Sequence, residues 1–316
     1  MADPTTTPRA AAGRRRSGRM LLRRGLPAVL VVAVLGAAAL YAATRGGDRP
    51  VPDPPGAEVP TAPADEATAS LPSREDFPDE TTTGVPEGVQ LEPSESLRVT
   101  EDGAVIDGLL ITGTVVVEAD DVVIRNTVIR NTGTFAIRVD GGRNLLVEDS
   151  EIDGQGRGAA AVAFGNYTLR RVHIHHVTEG PRIAGGTVLI EDSLVHRLVQ
   201  AGDNHTDVVQ AVGGREVVLR GNALLADDPE AGTLGNAAFQ FGEEDGELGA
   251  CLVEGNLLSG GNYTVNGGGG GTTGAGCVFR DNVLMETARY GARANLGGAA
   301  VWESSNVWLD TGEPVP

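Results

Sequence analysis

Leu145-Leu146-Val147-Glu148-Asp149-Ser150-Glu151-Ile152-Asp153 decides the fold. Leu145 and Val147 fall on one side of an extended chain, and Ser150 and Ile152 return to that side after a break at Glu148 and Asp149. That is the parity of two short strands joined by a bend, with Glu151 and Asp153 facing outward. The pattern recurs at 122–130 (VVIRNTVIR), 188–196 (VLIEDSLVH) and 251–259 (CLVEGNLLS). In nine occurrences an apolar residue precedes a charge whose sign alternates: Asp107, Arg125, Glu148, Arg170, Glu191, Arg220, Glu254, Arg280 and Glu303.

The apolar residues before those charges are 18, 23, 22, 21, 29, 34, 26 and 23 positions apart. Such uneven spacing suits a solenoid whose turns vary in length. Coils of a parallel β-solenoid lie about 4.8 Å apart, where like charges repel and alternating charges pair. A second column reads Thr127, Ser150, Val172, Ser193, Asn222, Asn256, Asn282. Its short polar side chains point inward at the bend, where they can satisfy turn backbone. Both columns set register and carry no chemistry.

The chain has 316 residues, 45 glycines, no lysine and a net charge of −18. Residues 81–316 hold fifteen arginines against thirty-three acids, which argues against a nucleic-acid partner. Residues 1–25, a basic cytoplasmic tail, hold seven arginines against one acid and precede the uncharged stretch 26–43. We expect that stretch to be a transmembrane signal-anchor, with everything after it outside the cell. The rivals are a signal peptide cleaved at Ala37-x-Ala39 and, from Arg23-Arg24, twin-arginine export; each also delivers an extracellular body. Residues 44–87 are rich in Pro, Asp, Glu, Thr and Ala without apolar period, and are expected to be a disordered linker. Residues 88–316 remain as the folded domain.

The repeated segments and the Asn/Ser column make residues 97–308 resemble the right-handed parallel β-helix proteins of the pectate-lyase-like superfamily. GRNLLVEDSEIDG (142–154), FGNYTLRRVHIHHV (164–177) and GDNHTDVVQAVGG (202–214) are similar to anchored or secreted actinobacterial members. The nine recurrences give a solenoid of about nine coils; the resemblance implies a polysaccharide ligand, and lyase, hydrolase or epimerase activity in many members but none in others. It also implies that an arginine on the binding sheet can serve as base, a role that Arg182 resembles.

Cys251 and Cys277 each stand two residues before the apolar anchor of consecutive coils. Stacked at that spacing they can form a disulfide or remain two small buried hydrophobes. Long turns follow Val195 and Leu224, so two loops stand side by side and can wall a groove. The sheet beside them is expected to expose a floor of small and polar residues, with Arg182 aligned near Val208 and with Gln210, Gln240 and Asn266 as substrate-binding residues.

All five histidines, His173, His175, His176, His196 and His205, lie between the third and fifth coils. We take Arg182, His205 and Asp207 as candidate catalytic residues, with His205 as acid or base and Asp207 orienting it, and with Glu179 and Asp153 nearby. Asp207 can instead turn inward and cap the turn. Asp203 and Asp207 are candidate ligands for a divalent cation such as calcium. His175 and His196 are expected in one outward column, as substrate contacts or as solvated stacking partners. The chain is read as an extracytoplasmic polysaccharide-active protein of lyase type; the alternative is a non-catalytic carbohydrate-binding or structural β-helix.

Overall fold

Glu148 stands in register between Arg125 and Arg170, and each of those arginines lies in register with the opposite charge on its other side. The alternation seen in sequence is therefore a ladder in space, continued through Arg220, Glu254 and Arg280. Arg125 reaches Asp107 at 2.8 Å, and Arg170 reaches Glu191 at 2.6 Å and Glu148 at 3.7 Å. Glu254 takes both neighbours, Arg220 and Arg280, at 2.6 Å. Hydrogen bonds from Arg280 and then Arg220 hold its carboxyl below the usual range. These pairs are partly solvated and each contributes at most about 1 kcal/mol, so they fix register more than stability.

The computed structural model describes residues 71–200, 205–269 and 276–316. Their fold is all-β: 24 strands join in one sheet through parallel pairings between successive coils, which fits a parallel β-helix. A coil contributes up to three strands, as in Tyr167–Arg170, His173–Glu179 and Arg182–Ala184. The first ladder of strands carries the alternating charges. The second includes Leu194–His196, Ala223–Leu225 and Leu257–Ser259, and the third includes Ala237–Gly242, Tyr263–Gly269 and Gly291–Ala294. One antiparallel hairpin, Asp227–Asp228 with Thr233–Leu234, decorates the long turn after Leu224.

The bend between the first two strands is uniform because its corner residue takes the left-handed conformation. Asn126, Asp149, Arg171, Asp192, Gly221, Gly255 and Asp281 occupy it with φ between +47° and +64°. Immediately behind it Ser193, Asn222, Asn256 and Asn282 are fully buried. The amide of each bonds the side chain one coil on: Ser193 to Asn222 at 3.0 Å, Asn222 to Asn256 at 2.9 Å, Asn256 to Asn282 at 3.0 Å. Asn306 continues the column beyond the seven positions read from sequence, accepting from Asn282 N–H at 3.2 Å.

The core is the column that parity predicts. Ile124, Val147, Leu169, Ile190, Leu219, Val253 and Phe279 have no exposed surface, nor do Ile152, Ile174, Val195 and Leu224 from the second strands. Each such side chain stabilises by about 1.5–3 kcal/mol on burial. A disulfide joins Cys251 to Cys277, in register on adjacent coils with Cα atoms 4.4 Å apart.

Three expectations need correction. The body does not begin at residue 88: Phe77 packs on an apolar patch formed by Leu194, Ala223, Leu257 and Val283 of the second ladder. Composition marks 44–87 as linker because that stretch has no apolar period, yet one aromatic suffices to dock a strap on an unpartnered patch. Arg182 lies beside Gln210 and not Val208, since Gly180 N–H bonds Asp207 O and Gln210 N–H bonds Pro181 O. The expected open floor is partly closed, because Ala136, Ala161, Val208, Ala238 and Thr264 are buried. Among the described residues no helix is long and apolar enough to cross a membrane. The stretch 26–43, the linker up to residue 70 and Asp203 lie outside the described residues.

Candidate functional site

Arg182, Gln210, Gln240 and Asn266 form one row across four coils of the third ladder. The corrected register brings the Arg182 guanidinium 2.7 Å from Gln210 Oε1, while its other nitrogen approaches Asp245 at 3.4 Å and Glu179 stands at 3.9 Å. Gln240 is 8 % exposed and its Oε1 has no partner among the described residues, so the middle of the row carries an unsatisfied acceptor. Asn266 accepts a bond from Asn295 at 3.0 Å.

Two carboxyls stand at the Arg182 end of this row. Burial pushes Glu179 up to about 7, opposed by Arg182 and reinforced by Asp207. Burial also pushes Asp207 up to about 7, against bonds from Asn236 and from the Ala237 amide. Asp207 has no exposed surface; its Oδ1 accepts from Asn236 at 2.8 Å and its Oδ2 is unpartnered among the described residues. Its side chain thus holds the start of the next coil's strand, the inward capping role that strand parity allowed. A carboxyl in that position cannot touch a sugar chain directly, whereas Glu179 is only half buried.

His205 is not brought to this group. It is exposed and makes no hydrogen bond or ion pair among the described residues, so Asp207 does not orient it. Loop side chains obey no strand parity, and proximity in sequence gave the wrong partner. Sequence reasoning named Glu179 only as a neighbour; its place before Gly180-Pro181, on the turn that enters the floor, was the available signal.

His175 and His196 share a column, as expected, but in the second ladder and not beside the Gln row. They are not solvated: His196 is 8 % exposed. His173 Nε2 lies 2.8 Å from His196 Nε2, and His175 Nδ1 lies 2.6 Å from His176 Nδ1. His175 Nε2 approaches Glu151 Oε1 at 3.3 Å, which holds Glu151 below its ordinary range. Burial drives His173 and His196 down to about 3, with neighbouring imidazoles and Arg197 acting in the same sense. At neutral pH this shift leaves both rings uncharged, so the 3.9 Å approach of Glu80 to His196 is not an ion pair there.

A feature missed in the sequence lies at the far end of the polar row. A cleft of ≈ 460 Å³ is lined by residues that include Thr264, Arg289, Tyr290, Arg293 and Trp308. Tyr290 is 65 % exposed, with the Arg289 guanidinium 5.9 Å from its ring centre, and Arg293 pairs in register with Val265 beside Asn266. An exposed aromatic next to guanidinium groups offers a stacking platform with hydrogen-bond donors. No family model matches the chain, and no curated protein or solved structure does either.

Proposed function

We propose that the chain is an extracytoplasmic polysaccharide-active protein of the right-handed, pectate-lyase-like kind, working by lyase-type elimination along the third ladder. One observation carries the reading: the row Arg182, Gln210, Gln240 and Asn266 starts beside a carboxyl raised to about 7 and ends next to the coil whose cleft presents an exposed tyrosine. Hydrogen-bonding groups at the spacing of successive coils, ending in an aromatic platform, suit an extended glycan.

In this reading Arg182 takes the substrate carboxylate, exchanging its long contact with Asp245 for a charge-assisted bond. Glu179, ionised above about pH 7, removes the proton on the carbon beside that carboxylate; a carbon–carbon double bond forms to the next carbon as that carbon's bond to the glycosidic oxygen breaks, and the leaving oxygen takes a proton from water. A group with its transition near 7 is suited to that transfer. Asp207 positions the strand and does not touch substrate. The net charge of −18 disfavours long polyuronates, so local capture by Arg182 has to offset a repulsive body. The proposed setting is outside the cell, carried by the 26–43 anchor and the Pro-rich stretch that follows.

The test is a panel of acidic and neutral glycans assayed for unsaturated products and for reducing ends. Glu179→Gln and Arg182→Ala should each cut turnover by about 100-fold or more, with glycan binding retained in Glu179→Gln. Full turnover in both variants would exclude the site. Binding without any turnover in the unaltered chain would instead establish the alternative, a non-catalytic binding module.

A further inference from the structure

Four of the five histidines converge on the second ladder, away from the row just described. His173 lies in register with Glu151 and His175 with Asp153, so two outward columns place two carboxylates and two imidazoles on adjacent coils. One atom each from Glu151, His173 and His175 fall within 4.8 Å of one another. Ligand atoms bound tetrahedrally to one zinc ion at 2.0–2.2 Å stand about 3.3 Å apart. Glu151 Oε1 and His175 Nε2 are already 3.3 Å apart.

The surroundings hold these rings in place. His196 meets His173 at 2.8 Å, and His175 Nδ1 meets His176 at 2.6 Å and Asp153 at 3.8 Å. For His175, whose Nε2 faces Glu151, the contacts fall on Nδ1, the second ring nitrogen, where a partner orients an imidazole ligand and fixes its tautomer. Across the other side runs the docked strap. Gly84 bonds the Arg171 carbonyl at 2.9 Å with φ of +84°, and a Cβ there would come within 3.3 Å of His173 Cβ. Glu80 of the same strap binds Arg197, the neighbour of His196, at 2.6 Å.

We propose that Glu151, His173 and His175 bind a divalent transition-metal ion of the zinc class. Two imidazoles and one carboxylate are the wrong chemistry for calcium, which takes oxygen ligands, and the right chemistry for zinc or iron(II). Asp153, His175 and His176 form a second set that shares His175. The first set is the site because all three of its members are half buried, whereas His176 is exposed. Three ligands leave a coordination position open toward solvent. The proposal is independent of the glycan reading.

The experiment takes the full chain without an affinity tag, strips it with chelator, and titrates it with zinc chloride by calorimetry and cobalt chloride by visible absorption. One zinc per chain is expected, with calcium chloride producing no heat of binding. His175→Ala should weaken zinc binding more than about 100-fold, beyond the loss of a merely supporting residue, and Glu151→Gln by about tenfold or more. His205→Ala should leave it unchanged. A readout without variants accompanies these: zinc should protect His175 from carbethoxylation, followed by mass spectrometry, while exposed His205 still reacts. Absence of zinc uptake by the folded chain, undiminished uptake in both ligand variants, equal loss in His205→Ala, or no protection of His175 would each overturn the site.

Discussion

Asp207 shows how far one side chain's chemistry departs from its sequence neighbourhood. Buried and bonded on one oxygen alone, it keeps its proton up to about 7, and half-buried Glu179 does the same. Between the ordinary carboxylate range and about pH 7 the folded chain therefore binds protons that the unfolded chain has released. Stability contributed by these groups is present at the acid end of that window and lost as pH rises through it. Asp207→Asn removes one of the two without changing the shape. The variant should gain in melting temperature relative to the parent as pH is raised from about 4.5 to 7.5. Two melting curves that stay parallel across that range would show Asp207 ionised at an ordinary value. Strand parity made the burial of this residue legible, because Val209 must point inward. His205 was not legible: it belongs to a loop, where period 2 gives no direction.

At the scale of elements, the bend ladder has the clearest energetic consequence. Asn256 accepts from Asn222 N–H and Nδ2 at 2.9 Å, and donates to the Leu219 carbonyl at 2.9 Å and the Glu254 carbonyl at 3.0 Å. Truncating it leaves several fully buried groups on two coils without partners, each costing about 1–3 kcal/mol. Asn256→Ala should therefore lose about 3 kcal/mol or more of unfolding free energy in denaturant titration. A loss under about 1 kcal/mol would mean that water or neighbouring backbone replaces the ladder. These columns were readable in sequence because a coil repeats its demands at every turn, so chance at one position is corrected by the next. Turn lengths carry no such redundancy. The count of offsets misplaced Arg182 against Val208, since Gly180-Pro181 shifts the pairing, and only the register in space put it beside Gln210.

Over the whole molecule, the open question for a solenoid is what covers each outward face. From Leu194 onward the second ladder presents apolar side chains outward, Leu194, Ala223, Leu257 and Val283, and these are nearly inaccessible. Phe77 packs on that patch, the 3₁₀ turn Arg74–Asp76 immediately precedes it, and Gly84 is tied to the Arg171 carbonyl. Composition concealed this, because a strap needs few apolar residues when the partner surface supplies the rest. Its contribution is local: the coils pair with one another without it, so its removal should expose surface and leave the stack intact. A chain shortened to begin at Val85 should retain the β-sheet circular dichroism of the body. It should bind the dye ANS more strongly than the longer chain and associate at lower concentration, because a contiguous apolar patch is then open to water. Phe77→Ala should give the same dye response at smaller amplitude. Equal dye binding in all three chains would mean that the strap covers no patch of consequence, and complete loss of the sheet spectrum on shortening would make it part of the folding core.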